Sequence, residues 1–148
     1  SNALFFSNAL QLHFIAKGKE TYHIDRAEFF MPVNEGMLTV KGSSVKTEST
    51  AHLFRLMQSH RGGTVIPCDS DHPDLDLLCT DHGDYLFLSI VNRKSTPLDM
   101  TTEGYEITDC TEIRTGAYSF ESNDFEVVEN AAPTVHGHSV LFCKLMTQ

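Results

Sequence analysis

The chain has 148 residues, 41% of them hydrophobic, and a formal net charge of −9 at pH 7. That length holds one domain, or one domain with a helical appendage, and the apolar share is enough for a core, so a disordered chain is not expected. The negative balance argues against a nucleic-acid partner and against an anionic membrane surface; solubility explains it.

Ser1-Asn2-Ala3 reads as the remnant of a cleaved expression tag and is set aside. Leu4 to Lys17 is apolar nearly all round, at Phe5, Phe6, Ala9, Leu10, Phe14 and Ile15 among others, which predicts a helix buried on more than one side. Gly18 is expected to stop it. A second helix is predicted from Glu20 to Phe30, with Ile24, Ala27 and Met31 at i, i+3 and i+7 and Pro32 ending it. Met37 to Val40 is a short apolar segment, strand or helix.

The stretch Ser49 to Cys68 is the hinge of the chain. Ser49 or Thr50 suits the cap of a helix carrying Leu53, Phe54, Leu56 and Met57 on one side. His60 and Arg61 fit its last turn, and Gly62-Gly63 ends it. Strands follow: Thr64–Cys68, Leu75–Cys79, Tyr85–Asn92, Pro97–Thr102, Glu106–Arg114, Ala117–Phe120, Phe125–Val128 and Val140–Met146. Turn signals such as Asp81-His82-Gly83-Asp84 and Ser122-Asn123-Asp124 separate them. Leu86, Leu88 and Ile90 alternate, and Tyr105, Ile107 and Ile113 fall in the same phase, so each strand should have one wet and one dry face. The expected fold is mainly β: an antiparallel, jelly-roll-like β-sandwich over residues 62–148, with an N-terminal helical appendage of two to three helices over residues 4–61.

The four cysteines, Cys68, Cys79, Cys110 and Cys143, form no C-x-x-C pair, so zinc-ribbon or thioredoxin chemistry has no support. Buried free thiols are the default reading; one bridge, Cys68 to Cys79, stays open, and with it the redox compartment. The longest apolar run is too short to span a bilayer.

A larger pattern emerges from Val33-Asn34, from Ser49-Thr50-Ala51-His52-Leu53-Phe54-Arg55-Leu56-Met57 with His60-Arg61-Gly62-Gly63, from Pro73-Asp74-Leu75-Asp76 followed by the run Asp84 to Arg93, and from His138-Ser139-Val140-Leu141. Together these resemble the C-terminal part of clan A glycoside hydrolases, most of all the α-L-arabinofuranosidases of family 51. In that family a (β/α)8 barrel precedes a β-sandwich. Asn8 to Phe30 is similar to the late barrel helices, and Ser49 to Gly63 to the junction helix. The stretch Asn34-Glu35-Gly36 departs from the pattern, since the family's usual apolar helix does not follow it. The resemblance implies a non-catalytic accessory domain of an enzyme acting on arabinose- or xylose-containing plant polysaccharide. Its implied partners are the barrel of the parent chain, a second copy of itself, or the polysaccharide. The family's two catalytic carboxylates lie on barrel strands upstream, so no glutamate here inherits either role. The alternative is an independent carbohydrate-binding module.

The residues offer several chemistries of their own. Asn34-Glu35 looks like an acid/base glutamate after an asparagine, but a retaining mechanism needs a second carboxylate about 5 Å away on another strand of the same barrel, and a barrel of ~250 residues does not fit this chain. Asp69, Asp71, Asp74 and Asp76 supply hard oxygens suited to calcium, or simply a solvated loop, with Pro73 where an EF-hand-type loop needs glycine. His136 and His138 stand at i and i+2, short of the third ligand that zinc or copper needs. His13, His23, His52 and His60 sit on predicted helices and read as packing or hydrogen-bonded residues. Tyr85, Tyr105 and Tyr118 are the tyrosines open to a sugar, but they are not grouped. Serine, histidine and aspartate are all present for a nucleophilic triad, without a G-x-S-x-G elbow. No catalytic, cofactor or metal residue is assigned.

Overall fold

A computed structural model describes residues 1–34, 36–117 and 119–148. In chain order the elements are helix α1 (Asn2–Tyr22), strands β1 (Leu38–Lys41) and β2 (Ser44–Thr47), helix α2 (Ser49–Met57) with a 3₁₀ turn (Gln58–His60), and strands β3 (Thr64–Ile66), β4 (Leu75–Asp81) and β5 (Tyr85–Asn92). Then come β6 (Leu98–Asp99), β7 (Tyr105–Thr115), β8 (Phe125–Glu129), β9 (Thr134–Val135) and β10 (Ser139–Thr147). The fold is mainly β and antiparallel, a sandwich with a helical N-terminal part, as the strand pattern predicts. Its main layer is a six-stranded sheet in the order β3-β4-β5-β10-β7-β8. Helices α1 and α2 cover one face, and the small β6–β9 ribbon packs over part of the other.

Both faces of the central strands are therefore dry, against the expectation of one wet face. Phe87 and Val91 of β5 and Val140 and Phe142 of β10 meet Phe5, Phe6 and Ala9 of α1 and Leu53 of α2. On the reverse, Leu88, Ile90, Leu141 and Leu145 pack with Val135 of β9. Phe142 is fully buried and stacks on Phe87 with ring centroids 6.4 Å apart. Phe142→Ala is expected to cost about 3–5 kcal/mol, because transfer and cavity terms add at a site closed on all sides. Urea unfolding of the variant beside the parent checks it.

The phase of β7 differs from the sequence reading, and a bulge is the reason. Phe142 stands opposite Thr111 but Lys144 opposite Thr108, and Asp109 at φ 50° takes up the extra residue. One added residue turns the rest of a strand over. Ile107 consequently packs on the ribbon side while Ile113 packs under the helices.

Helix α1 runs through Gly18 rather than stopping there. Tyr22 folds back over this glycine to stack on Phe14 at 5.5 Å, and a Cβ on Gly18 would fall 2.6 Å from the Tyr22 ring. The helix ends at His23 (φ 54°), whose N–H donates to the Lys19 carbonyl. The predicted second helix, Glu20–Phe30, is absent beyond Tyr22. Ala27 and Met31 are exposed and Ile24 is only half-buried, and helical spacing without burial does not sustain a helix. Glu48, not Ser49 or Thr50, caps α2, and its carboxylate accepts from Thr39 Oγ1 at 2.9 Å. Pro97–Thr102 shrinks to β6, and residues 117, 119 and 120 are outside any strand. The first three residues also join the fold: Ser1 Oγ caps α1, and the buried Asn2 amide donates to Ser122 Oγ at 3.1 Å and to the Asp124 carbonyl at 3.2 Å.

Candidate functional site

The helix-side face of the sheet carries polar residues at its centre. Ser89 on β5 and Thr80 on β4 point at the helical layer, where the 3.6-residue period of α1 brings His13 round after Phe5, Phe6 and Ala9. His60 descends from the 3₁₀ turn. His13 Nδ1 lies 2.6 Å from Asp76 Oδ1, and its Nε2 lies 2.7 Å from Ser89 Oγ. Ser89 Oγ is also 2.9 Å from His60 Nε2, His60 Nδ1 is 2.9 Å from Thr80 Oγ1, and Thr80 Oγ1 is 2.8 Å from His82 Nε2.

Donor counting gives this chain one direction. Asp76 accepts from His13 Nδ1–H, so His13 Nε2 must accept the Ser89 hydroxyl proton. Ser89 Oγ then accepts from His60 Nε2–H, His60 Nδ1 accepts from Thr80, and Thr80 accepts from His82 Nε2–H. Every link is satisfied with both buried histidines neutral. Burial pushes His13 below the ordinary imidazole value, against the hydrogen bond and charge of Asp76, while Lys17 adds to the lowering. Burial drives His60 down to about 3, with His13 and His82 contributing. For Asp76, burial acts upward, but His13 and Lys17 outweigh it and hold the carboxyl below its usual range. Gly63 belongs to this design: a Cβ there would sit 2.6 Å from His82 Nε2 and 2.9 Å from Thr80 Cβ.

Asp76, His13 and Ser89 have the connectivity of a nucleophilic triad. Access sets them apart from one, because Ser89 and His13 are both 0% exposed between α1 and the sheet and the Ser89 oxygen is shared with a second imidazole. As placed, the group clamps α1 and the 3₁₀ turn to the sheet.

A second polar cluster lies on the ribbon side. Glu112 of β7 is 0% exposed. Its carboxylate takes a hydrogen bond from Arg114 Nε and one from the His136 backbone N–H at 3.1 Å, and the single Ser139 hydroxyl proton is shared between Glu112 at 3.2 Å and the His136 carbonyl at 2.7 Å. His136 Nδ1 makes an ion-pair contact at 2.8 Å, off the line of a hydrogen bond. The chain can turn so tightly here because Gly137 lets the Ser95 carbonyl occupy the space that a Cβ would need. Between the sheet and the ribbon opens a cleft of about 340 Å³, with Leu77, Leu88 and Ile90 on its floor and Asp69, Asp71 and His72 on its rim.

Of the residues singled out in the sequence, Glu35 and Tyr118 lie outside the described residues. The four aspartates are not brought together: Asp76 turns to His13 and Lys17, and Asp74 pairs with Lys94 at 3.7 Å. No group of three or more His, Cys, Asp or Glu among the described residues is arranged to hold a metal ion. His136 is held by Glu112, whereas His138 engages by its backbone, at Lys94 and Thr115. Tyr85 stacks on His82 at 4.9 Å under Lys144, and Tyr105 packs on the ribbon-side core. His13 and His60 are the hydrogen-bonded core histidines that the sequence suggested, while His23 is exposed at the end of α1. The sequence carries no signal for Glu112, since β7 also holds Glu106, Asp109 and Arg114 and only the fold shows which charge is buried.

No family model matches the chain, and no curated protein matches it. Solved structures do. The chain is similar to wild-type BuGH86 in complex with neoagarooctaose, with a TM-score of 0.62 and 14% identity over 98% of this chain and 26% of that one. It is similar to the family 30 subfamily 8 xylanase Xyn30A from Clostridium acetobutylicum, with a TM-score of 0.59 and 7% identity over 99% and 40% of the two chains. The catalytic domain of GH30 xylanase C from Talaromyces cellulolyticus gives a TM-score of 0.55 and 12% identity over 78% and 29%. This chain thus spans between about a quarter and two fifths of the length of the chains it matches. At such identities the likeness is one of fold.

Proposed function

We propose that this chain is a non-catalytic accessory domain of a glycoside hydrolase that acts on polysaccharide. The observation that carries the reading is the matched span: 98–99% of this chain superposes within BuGH86 and Xyn30A, chains about two and a half to four times as long, of which it is 26% and 40%. The narrower reading, an α-L-arabinofuranosidase of family 51 as parent, rests on the sequence resemblance alone; the matched enzymes are of families 30 and 86. The partner we assign is the (β/α)8 barrel of the same longer protein. The surface offered to it includes Phe14 and Tyr22 on the outer side of α1 and Phe30, which is 85% exposed. In a preparation without the barrel the same surface would pair two copies.

The buried clusters serve this role mechanically. They orient α1 on the sheet without presenting an acid to a substrate, since Glu112 is sealed and already holds its donors. The experiment is a reducing-end assay on arabinoxylan, xylan and agarose, run with the chain alone and with the full-length protein that contains it. Cleavage by the full-length protein only is expected. Cleavage by the chain alone overturns the proposal, as does a full-length protein with no barrel.

A further inference from the structure

The histidine chain on the helix side of the sheet can be satisfied in two directions. His13 is buried, and Asp76 at 2.6 Å already draws a proton to its Nδ1. A second proton can settle only on Nε2, which faces Ser89 at 2.7 Å. Ser89 is buried as well, so solvent does not deliver the proton there. Behind Ser89 stands His60 at 2.9 Å, then Thr80 a further 2.9 Å on, then His82 at 2.8 Å. His60 and Thr80 are buried, whereas His82 is part-exposed, so the chain first meets water at His82.

We propose that this chain is a proton relay: acid loads a proton onto His13 from His82 through the interior, and every hydrogen bond between the two reverses. Loading begins when a hydronium ion gives its proton to His82 Nδ1. The proton on His82 Nε2 passes to Thr80 Oγ1, and the Thr80 proton passes to His60 Nδ1. The proton on His60 Nε2 passes to Ser89 Oγ, and the Ser89 proton passes to His13 Nε2. One proton enters, and one positive charge appears on His13 beside the Asp76 carboxylate. No link is lost. His13 Nε2–H now donates to Ser89, Ser89 to His60 Nε2, His60 Nδ1–H to Thr80, and Thr80 to His82 Nε2. Hydroxyls and imidazoles can reverse in this way because each both gives and accepts a proton.

The charge belongs on His13 because of what faces it. Asp76 of β4 lies against its ring and favours the imidazolium, while Lys17 of its own helix opposes it from the solvent side. The titratable groups facing His60 are His13 and His82, and burial holds His60 at about 3, so it stays neutral while it passes the proton on. The joint between α1 and the sheet thus takes up one proton without coming apart. The relay goes beyond the glycosidase reading, and its failure would leave that reading untouched.

The test is a pH titration of the isotope-labelled chain, read by long-range nitrogen–proton spectra that report which ring nitrogen of each histidine carries a proton. At pH 7.5, His13 should carry it on Nδ1 and His60 on Nε2. As pH falls, His13 should become doubly protonated, and in the same step His60, still neutral, should move its proton to Nδ1. Thr80→Val removes the hydroxyl that joins His60 to His82. Proton exchange at His13 should then slow by about tenfold or more, because the route that remains is local opening of the helix. Thr80→Ser should restore the rate. A His60 that keeps its proton on Nε2 when His13 charges, a His60 that charges first, or an Asp76 that takes the proton with His13 still neutral would each overturn the proposal. So would unfolding before His13 charges, or an unchanged rate in Thr80→Val. If that variant fails to fold, the titration of the parent chain decides alone.

Discussion

Glu112→Ala is expected to cost about 3 kcal/mol of stability, the lower end of what breaking a buried ion pair removes. A carboxylate at 0% exposure costs free energy to bury and persists because its lone pairs are used, by Arg114 Nε, the His136 backbone N–H and Ser139 Oγ. Truncation leaves those donors facing a cavity. The side chains of Arg114 and His136 are 31% and 40% exposed, so both keep a route to water and the penalty stays below the upper limit. Glu112→Gln should lose less, about 1–3 kcal/mol, because it keeps the volume and one acceptor but not the charge. Urea unfolding at constant pH reads both variants. A loss under 1 kcal/mol for alanine would mean that the loop after β9 swings outward, and that Glu112 does not anchor it.

The second large effect is acid sensitivity between pH 6.5 and about 3. His13 and His60 both have folded pKa values below the unfolded value of 6.5, His60 at about 3. A depressed value means that the unfolded chain binds protons first. Stability is fully present above pH 6.5 and is lost as pH falls toward the folded values, at up to about 1.4 kcal/mol per pH unit for each histidine. Asp76 acts in the same direction at lower pH: its folded pKa is also depressed, so its contribution is present above the usual carboxylate range and fades below it. The groups facing the pair are Asp76, Lys17 and His82, and none of them supplies a second carboxylate to hold an imidazolium. Urea midpoints measured at pH 7.5, 6.0 and 5.0 should fall steadily. His60→Gln should flatten the slope even if it lowers stability throughout. A midpoint unchanged down to pH 5 would show that the histidines titrate alike in the folded and unfolded chain, and a rising midpoint that they are protonated in the fold.

Local pattern was enough for the main strands. Tyr85–Asn92 is read from its sequence to the residue, and β4, β7 and β10 to within two residues at either end. Their β-branched and aromatic residues lie between clear turn signals, and the sheet then confirms each choice by burial on both sides. The errors fall where burial decides against spacing. Ile24, Ala27 and Met31 have helical spacing, but Ala27 and Met31 stay exposed and Ile24 is only half-buried, while Gly18 looks like a stop and instead makes room for the Tyr22 ring. The β7 bulge was invisible because no residue type announces it; Asp109 at φ 50° is unusual only once it is seen. The His13–Asp76–Ser89–His60 chain draws on α1, the 3₁₀ turn, β4 and β5, and no linear spacing encodes a meeting of four elements. What the sequence did offer was the correct class for those histidines, as core residues with partners.

β10 lies between β5 and β7, yet it is the last strand of this segment to be made. As the chain leaves the ribosome, β3-β4-β5 and β7-β8 therefore emerge as two incomplete pieces, each with an open edge and apolar faces. They can join only when the nine residues Ser139–Thr147 slide in between. Pairings this distant in sequence form slowly, and open edges are what neighbouring nascent chains or chaperones seize. The order of synthesis thus leaves the most hazardous interval for the end, and the short outer strand Thr64–Ile66 leaves little edge to exploit once that interval has passed.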